Sequence, residues 1–167
     1  MRAILFLFFM TGFLSLNGQQ DYSDPVYFTN HVFNGKIKSV QLYKERWNLS
    51  YPVMKLNTND KLVLHFDLLG DDAETFDYTF IHCDKDWNRS DIFPSEYTDG
   101  YTENPVEDYQ SSFNTTVKYI HYQIAFPNER IQFKLSGNYI IVIYPRDKPE
   151  EPVITQRFIL TEDADAR

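Results

Sequence analysis

The sequence predicts an all-β protein, an immunoglobulin-like or fibronectin-like antiparallel β-sandwich of about seven strands. Three observations predict it. Apolar residues recur at every second position through several short stretches, the period of a strand with one buried face. Clusters of Asn, Asp, Gly and Pro separate those stretches. No stretch of useful length has the period of an amphipathic helix. A chain of 167 residues suits one domain with its own core, and an aromatic content of 17% fits a β-rich interior.

The elements follow in order. Residues 1–18 read as a secretory signal: Arg2 is a minimal positive region, 3–16 is an apolar run, and cleavage is expected after Gly18. A membrane anchor needs ~20 apolar residues, and Asn17-Gly18-Gln19-Gln20 ends the run too early. The mature chain is therefore expected to be exported and soluble, with its domain over 19–161 and a frayed tail at 162–167. The first strand is expected at 36–43 (KIKSVQLY), and 51–56 (YPVMKL) resumes extended structure as an edge, because Pro52 lacks a donor. After the turn residues 57–60, positions 61–68 alternate most cleanly. Leu62, Leu64, Phe66 and Leu68 face one way, and Lys61, His65 and Asp67 mostly the other. Residues 76–84 (FDYTFIHCD) carry apolar groups on both faces, as a strand covered on both sides does. Residues 117–126 return as a strand with Ile120, Tyr122, Ile124 and Phe126 on one face. Residues 137–144 and 153–161 close the chain as a hairpin whose charged connection holds three prolines.

The stretch 84–114 has no strand or helix period of its own and reads as one long acidic, aromatic loop. Connections longer than about 12–15 residues are uncommon in compact domains and often functional. From Asp84 to Tyr109 it carries eight carboxylates against Lys85 and Arg89, with Trp87, Phe93, Tyr97, Tyr101 and Tyr109 among them. Flat apolar groups on an acidic surface suit recognition of a partner.

Composition narrows the function classes. A net charge of −8 argues against nucleic acid and anionic lipid, both of which rely on Lys and Arg. Cys83 is the single cysteine, so no intramolecular disulfide forms, and it reads as a small buried hydrophobe on a strand. His82 and Cys83 are adjacent on that strand and point to opposite faces, so they do not pair as base and nucleophile. No nucleophile elbow, zinc-protease helix motif or Cys-x-x-Cys is present. Asp84-x-Asp86-x-Asn88-x-Ser90 starts like a calcium loop, but Arg89 stands where the turn needs glycine and Ser95 where a bidentate Glu belongs. Two alternatives remain open: a calcium-stabilised adhesive module, and a carbohydrate-binding module using Trp47, Trp87, Tyr97 or Tyr101. Asn48, Asn88 and Asn114 each begin an Asn-x-Ser/Thr triplet.

Several unusual blocks occur in one order: IKSVQLYKERWNLSYPVMKLN (37–57), IHCDKDWNRSD (81–91), EYTDGYTENPVEDYQSSFNTT (96–116), HYQIAFPN and KLSGNYIIVIY. Together they resemble the N-terminal domain of the type IX secretion system plug protein family of Bacteroidota. The resemblance implies a non-enzymatic protein on the periplasmic side of the outer membrane. Its partner would be the large outer-membrane translocon barrel, whose periplasmic opening it blocks until cargo is loaded. It implies no cofactor, no catalytic residues and no direct membrane insertion. Members of the family continue beyond the length of this chain, so the family's C-terminal remainder is expected to be absent here. The candidate partner-binding residues are Asp84, Asp86, Trp87, Tyr97, Asp99, Tyr101 and Asn114. A structural role for the same residues stays open, with Asp84, Asp99 and Asn114 bonded to backbone and Trp87 and Tyr97 packed beneath the segment.

Overall fold

The structure, a computed structural model, describes residues 25–162; the expected signal at 1–18 and the residues after Glu162 lie outside them. The described chain starts with a turn of 3₁₀ helix, Pro25–Phe28. The strands that follow are β1 (His31–Val32), β2 (Ile37–Lys44), β3 (Val53–Lys55), β4 (Leu62–Leu69) and β5 (Phe76–Cys83). A one-turn helix, α1 (Pro94–Tyr97), leads to the short strands β6 (Thr98–Gly100), β7 (Glu103–Pro105) and β8 (Asp108–Ser111). The chain closes with β9 (Tyr119–Phe126), β10 (Ile131–Phe133), β11 (Gly137–Pro145) and β12 (Ile154–Thr161).

Two sheets face each other. One runs β1-β12-β11-β5-β7, with β3 also pairing along β12; the other runs β2-β4-β9-β8. A separate two-stranded ribbon joins β6 to β10. The all-β sandwich is therefore as expected, and the larger strand count comes from short edge strands that carry no readable alternation. The pairings are antiparallel except one: β3 joins β12 in parallel, Val53 opposite Ile159. That edge position suits Pro52, which has no N–H to give. A bulge interrupts β2 against β4 between Lys38 and Gln41, and Ser39 there has φ 55°.

The inner faces hold the core. Leu62, Leu64, Phe66 and Leu68 of β4 and Ile120, Tyr122, Ile124 and Phe126 of β9 are all buried, as the period-two pattern requires. Phe66 stacks on Tyr122 at 4.9 Å and Phe76 meets both rings edge-on. Each such pair adds about 0.5–1.5 kcal/mol beyond its area. A second aromatic group forms around Phe80, Phe126, Phe133, Tyr139 and Phe158. β5 and β11 are covered on both faces. Outside the sandwich, Ile81, Cys83, Ile140, Val142 and Tyr144 pack with Phe28 of the 3₁₀ turn, and Trp87 leans on them.

The registers define two ends. The turn at Gly70, the start of β5, the end of β11 and the start of β9 share one end, and Tyr122 of β9 reaches the 70–75 turn there. Asp84, Asn138, Lys44 and Phe126 lie at the other. The eight residues of β5 at ~3.3 Å each separate these ends by roughly 25 Å.

Candidate functional site

Residues 84–114 differ from the expected single loop. They contain α1, β6, β7 and β8, and they run as a strap from the Asp84 end to the Gly70 end along one lateral edge. The reason is the backbone. Both sheets end at this edge, and main-chain groups beside an open edge need partners whatever their side chains. β7 therefore pairs with β5 as the last strand of one sheet, and β8 pairs with β9 as the last strand of the other. Between them Val106 is buried and its N–H donates to Phe76 O at 2.9 Å.

The strap begins as a tight turn built by Asp84. Its Oδ1 accepts the N–H groups of Asp86 at 2.8 Å and Asn88 at 2.9 Å. The Asn88 N–H, with a smaller share from Asp86, holds the exposed Asp84 carboxyl below the usual carboxylate range. Its backbone O accepts from Asn138 Nδ2 at 2.9 Å, tying the turn to β11. The carboxylate that the calcium pattern offered as its first ligand is thus engaged by backbone. Among the described residues, no group of three or more His, Cys, Asp or Glu is placed to hold a metal ion. Asp86 is exposed and lies 2.5 Å from Lys85 Nζ.

Trp87 adopts φ 66° and turns back over the outer core, where the Arg157 guanidinium lies 4.3 Å from its ring centroid. Arg157 also donates from Nε to Phe28 O at 2.6 Å, so one side chain binds the chain start to the strap. α1 opens with Pro94 in its first turn, and Glu96 Oε2 accepts the Phe93 N–H at 2.7 Å. Tyr97 corrects the expected surface: it is 5% exposed and donates to Phe80 O at 3.2 Å. The inter-sheet core at this edge needs a large ring, and Tyr97 supplies it. Tyr101, four residues on, is 67% exposed. Asp99 is exposed on β6 opposite Gln132. Gly100 has φ 107°, and a Cβ there would stand 2.1 Å from Arg130 O. Asn104 is 1% exposed, with Nδ2 donating to Tyr101 O at 2.8 Å. Asn114 is exposed at φ 55° in the turn from β8 to β9.

The seven candidates therefore do not form one patch. Asp84, Asp86 and Trp87 share the Asp84 end, Tyr97, Asp99 and Tyr101 follow along the edge, and Asn114 lies at the opposite end. Asp84, Trp87 and Tyr97 hold the strap; Asp86, Asp99, Tyr101 and Asn114 are presented to solvent. Exposed large apolar residues outside the candidate set include Phe93, Tyr109 and Phe113 on the strap, and Trp47, Leu49 and Tyr51 on the β2–β3 loop at the opposite edge. Leu49 and Tyr51 are each 86% exposed although Ser50 anchors the loop through its Oγ to the Lys44 N–H at 2.7 Å. Leu49 falls between the expected strands at 36–43 and 51–56, whereas Tyr51 lies inside the second of them; β3 begins only at Val53.

The remaining chemistry is muted. His82 and Cys83 point to opposite faces; His82 Nδ1 meets Ser90 Oγ at 2.7 Å and its Nε2 meets Ser136 O at 3.3 Å, joining three segments. Burial, helped by Asp84, pushes the Cys83 thiol up to about 12. A groove of about 770 Å³ at the Gly70 end lies between Phe33, Glu74, Arg146 and Lys148. Its cations are already paired, Arg146 with Asp77 at 2.9 Å and Lys148 with Glu151 at 3.0 Å.

Comparison with known proteins gives the following. A family model described as "Type 9 secretion system plug protein 1st domain" matches residues 37–162. No curated protein gives a significant match. Among solved structures, the chain is similar to a hypothetical protein from Parabacteroides merdae, with 32% identity and a TM-score of 0.78. That alignment covers 80% of this chain and 34% of the other, so the chain spans about a third of that relative's length. An alkylpurine DNA glycosylase, AlkC, of Pseudomonas fluorescens, bound to DNA with an abasic-site analogue, aligns over 75% of this chain and 30% of its own. At 11% identity and a TM-score of 0.38 that likeness bears on neither fold nor function.

Proposed function

This chain belongs to the type 9 secretion system plug protein family, through the first domain of that family, and on that footing we propose that it is a non-enzymatic plug subunit. In this reading it sits on the periplasmic side of the outer membrane, binds the large translocon barrel and blocks its periplasmic opening during export. The family match over residues 37–162 carries the reading. The fold is in keeping with it: a body rigid enough to obstruct, with no helix among the described residues long and apolar enough to cross a membrane.

The barrel contact is assigned to the solvent-facing part of the strap. Asp86, Asp99 and Tyr101 lie on its exposed surface with Phe93 nearby in the chain, and Asn114 marks its far end. Acidic groups set orientation and encounter, while the exposed rings supply the area that a partner buries. Asp84, Trp87 and Tyr97 support this surface from behind.

The test uses the full chain as bait in crosslinked native envelopes, with captured proteins identified by mass. One very large outer-membrane barrel is expected. Exchanging Asp86 and Asp99 for Lys together with Tyr101 for Ala should cut its recovery about tenfold, equivalent to about 1.4 kcal/mol, without changing the melting temperature. A folded bait that recovers no barrel refutes the reading.

A further inference from the structure

The 33–36 turn carries the chain from β1 on one sheet to β2 on the other, and it holds the one Asn-Gly pair among the described residues, Asn34-Gly35. Its backbone anchors stand at either side. Phe33 N–H donates to Val153 O at 3.0 Å, and Ile37 N–H donates to Asn34 O at 3.0 Å. Asn34 is half-buried, Gly35 is exposed, and both line the groove of about 770 Å³ at the Gly70 end. Water therefore reaches both residues.

Three features of this turn make the Asn34 amide reactive. Its carbonyl is polarised: Oδ1 accepts the Lys36 N–H at 2.9 Å, the donor that a negative charge on that oxygen needs. Its nitrogen is ready to leave, since Nδ2 has no hydrogen-bond partner among the described residues. The nucleophile is bare as well. Gly35 N–H has no partner among the described residues, and no atom stands within 4 Å of where a Cβ of Gly35 would lie. Every other asparagine in the described chain is followed by a residue with a side chain. Asn57 and Asn114 are exposed, yet each precedes a threonine, whose branched Cβ crowds the attacking nitrogen. Asn104 precedes Pro105, which has no N–H to lose, and Asn128 is engaged through both Oδ1 and Nδ2.

We propose that Asn34 is a site of spontaneous modification, closing on Gly35 to a succinimide that water opens to aspartate or isoaspartate. The Gly35 nitrogen gives its proton to hydroxide and bonds to Asn34 Cγ. The charge rests on Oδ1, facing the Lys36 N–H, until the Cγ–Nδ2 bond breaks. Ammonia leaves with a proton from water, which restores the hydroxide. One further water opens the ring at either carbonyl, and the chain gains one negative charge. Opening at the main-chain carbonyl routes the backbone through the former side chain and makes the turn one methylene longer. That displaces the acceptor of the Ile37 N–H and loosens the crossover between the sheets. This inference is independent of the barrel contact.

The purified full chain is held at about 37 °C and about pH 7, 8 and 9, and sampled over several weeks by peptide mapping with mass spectrometry. A gain of about 1 Da on the peptide carrying Asn34 is expected, with isoaspartate identified by methyltransferase labelling. Its rate should rise about tenfold per pH unit, as removal of the Gly35 proton by hydroxide requires. Gly35→Ala should slow it at least about tenfold without lowering the melting temperature, because the added Cβ meets open space. Asn57 and Asn114 should stay intact over the same period. In the aged fraction the Ile37 N–H should exchange faster, and unchanged protection there overturns the loosening of the crossover. A native chain whose Asn34 persists while the same peptide, released by digestion, deamidates overturns the proposal, since the turn then shields its amide. Gain of mass at Asn114 as fast as at Asn34 overturns it too. Both results come from the wild type, so they stand whether or not the alanine variant folds.

Discussion

The Tyr122 hydroxyl bonds twice to the backbone of Glu74, donating to its O at 2.8 Å and accepting its N–H at 2.9 Å. One phenol thus satisfies both polar groups of a residue in the turn between β4 and β5, and so pins one sheet to the other. Tyr122→Phe keeps the stack on Phe66 and removes only these bonds. It should cost about 1–2 kcal/mol, read as a lower urea midpoint with an unchanged slope. A midpoint equal to the wild type would mean that water replaces the hydroxyl at no cost.

Gly100 lets the strap pass close to β10. Its φ of 107° and the 2.1 Å approach of a built Cβ to Arg130 O leave no room for a side chain. Gly100→Ala should destabilise by about 2 kcal/mol or more, since both strain and a backbone clash act together. Amide exchange should show the loss concentrated at the Tyr101 N–H to Arg130 O bond and the β6–β10 ribbon. Uniform loss across both sheets would argue against a local clash.

The Cys83 thiol is buried and pushed up to about 12, so the thiolate is scarce in the folded protein. A thiol reagent at about pH 8 should leave the native chain unlabelled and label it quickly in denaturant. Labelling in dilute buffer then reports the opening of the outer core around Phe28, Ile81 and Val142. Rapid native labelling would show that this layer is open.

Asp84 sets a dependence on acid. Hydrogen bonds from backbone N–H groups, that of Asn88 first, lower its folded value below 3.8. The unfolded chain therefore takes up the proton first as pH falls. The stabilisation from Asp84 is complete above 3.8 and drains away as pH drops through the folded value. Asp60 has the same sign, chiefly through Lys44 Nζ at 3.0 Å. Denaturation at about pH 7, 4 and 3 should show wild type and Asp84→Asn converging only at the lowest pH. A difference that stays constant across the series would remove the charge from the explanation.

Long strands were readable because burial imposes a period of two on eight consecutive residues, as in β4 and β9, or an unbroken apolar run where both faces are covered, as in β11. The strap was readable only as composition. β6, β7 and β8 each span three or four residues, too few to display a period, and their pairing is dictated by the unfilled edges of β5, β9 and β10. Tyr97 and Tyr101 look alike in the chain, yet one fills the inter-sheet core and the other faces water. Nothing local distinguishes them, because the difference lies in where α1 stops. Trp87 covers apolar side chains on β5 and β11 that its own neighbours do not reveal.

A protease meeting this chain would find in residues 84–114 the composition it usually cuts, rich in acid, Tyr, Asn and Ser. Cleavage needs several consecutive residues drawn out into an extended, unpaired form. Within the strap, β7 and β8 are committed as the last strands of the two sheets and β6 to the ribbon with β10. Nicking there waits on a wider opening of the domain, so the stretch that looks most exposed in one dimension is shielded in three.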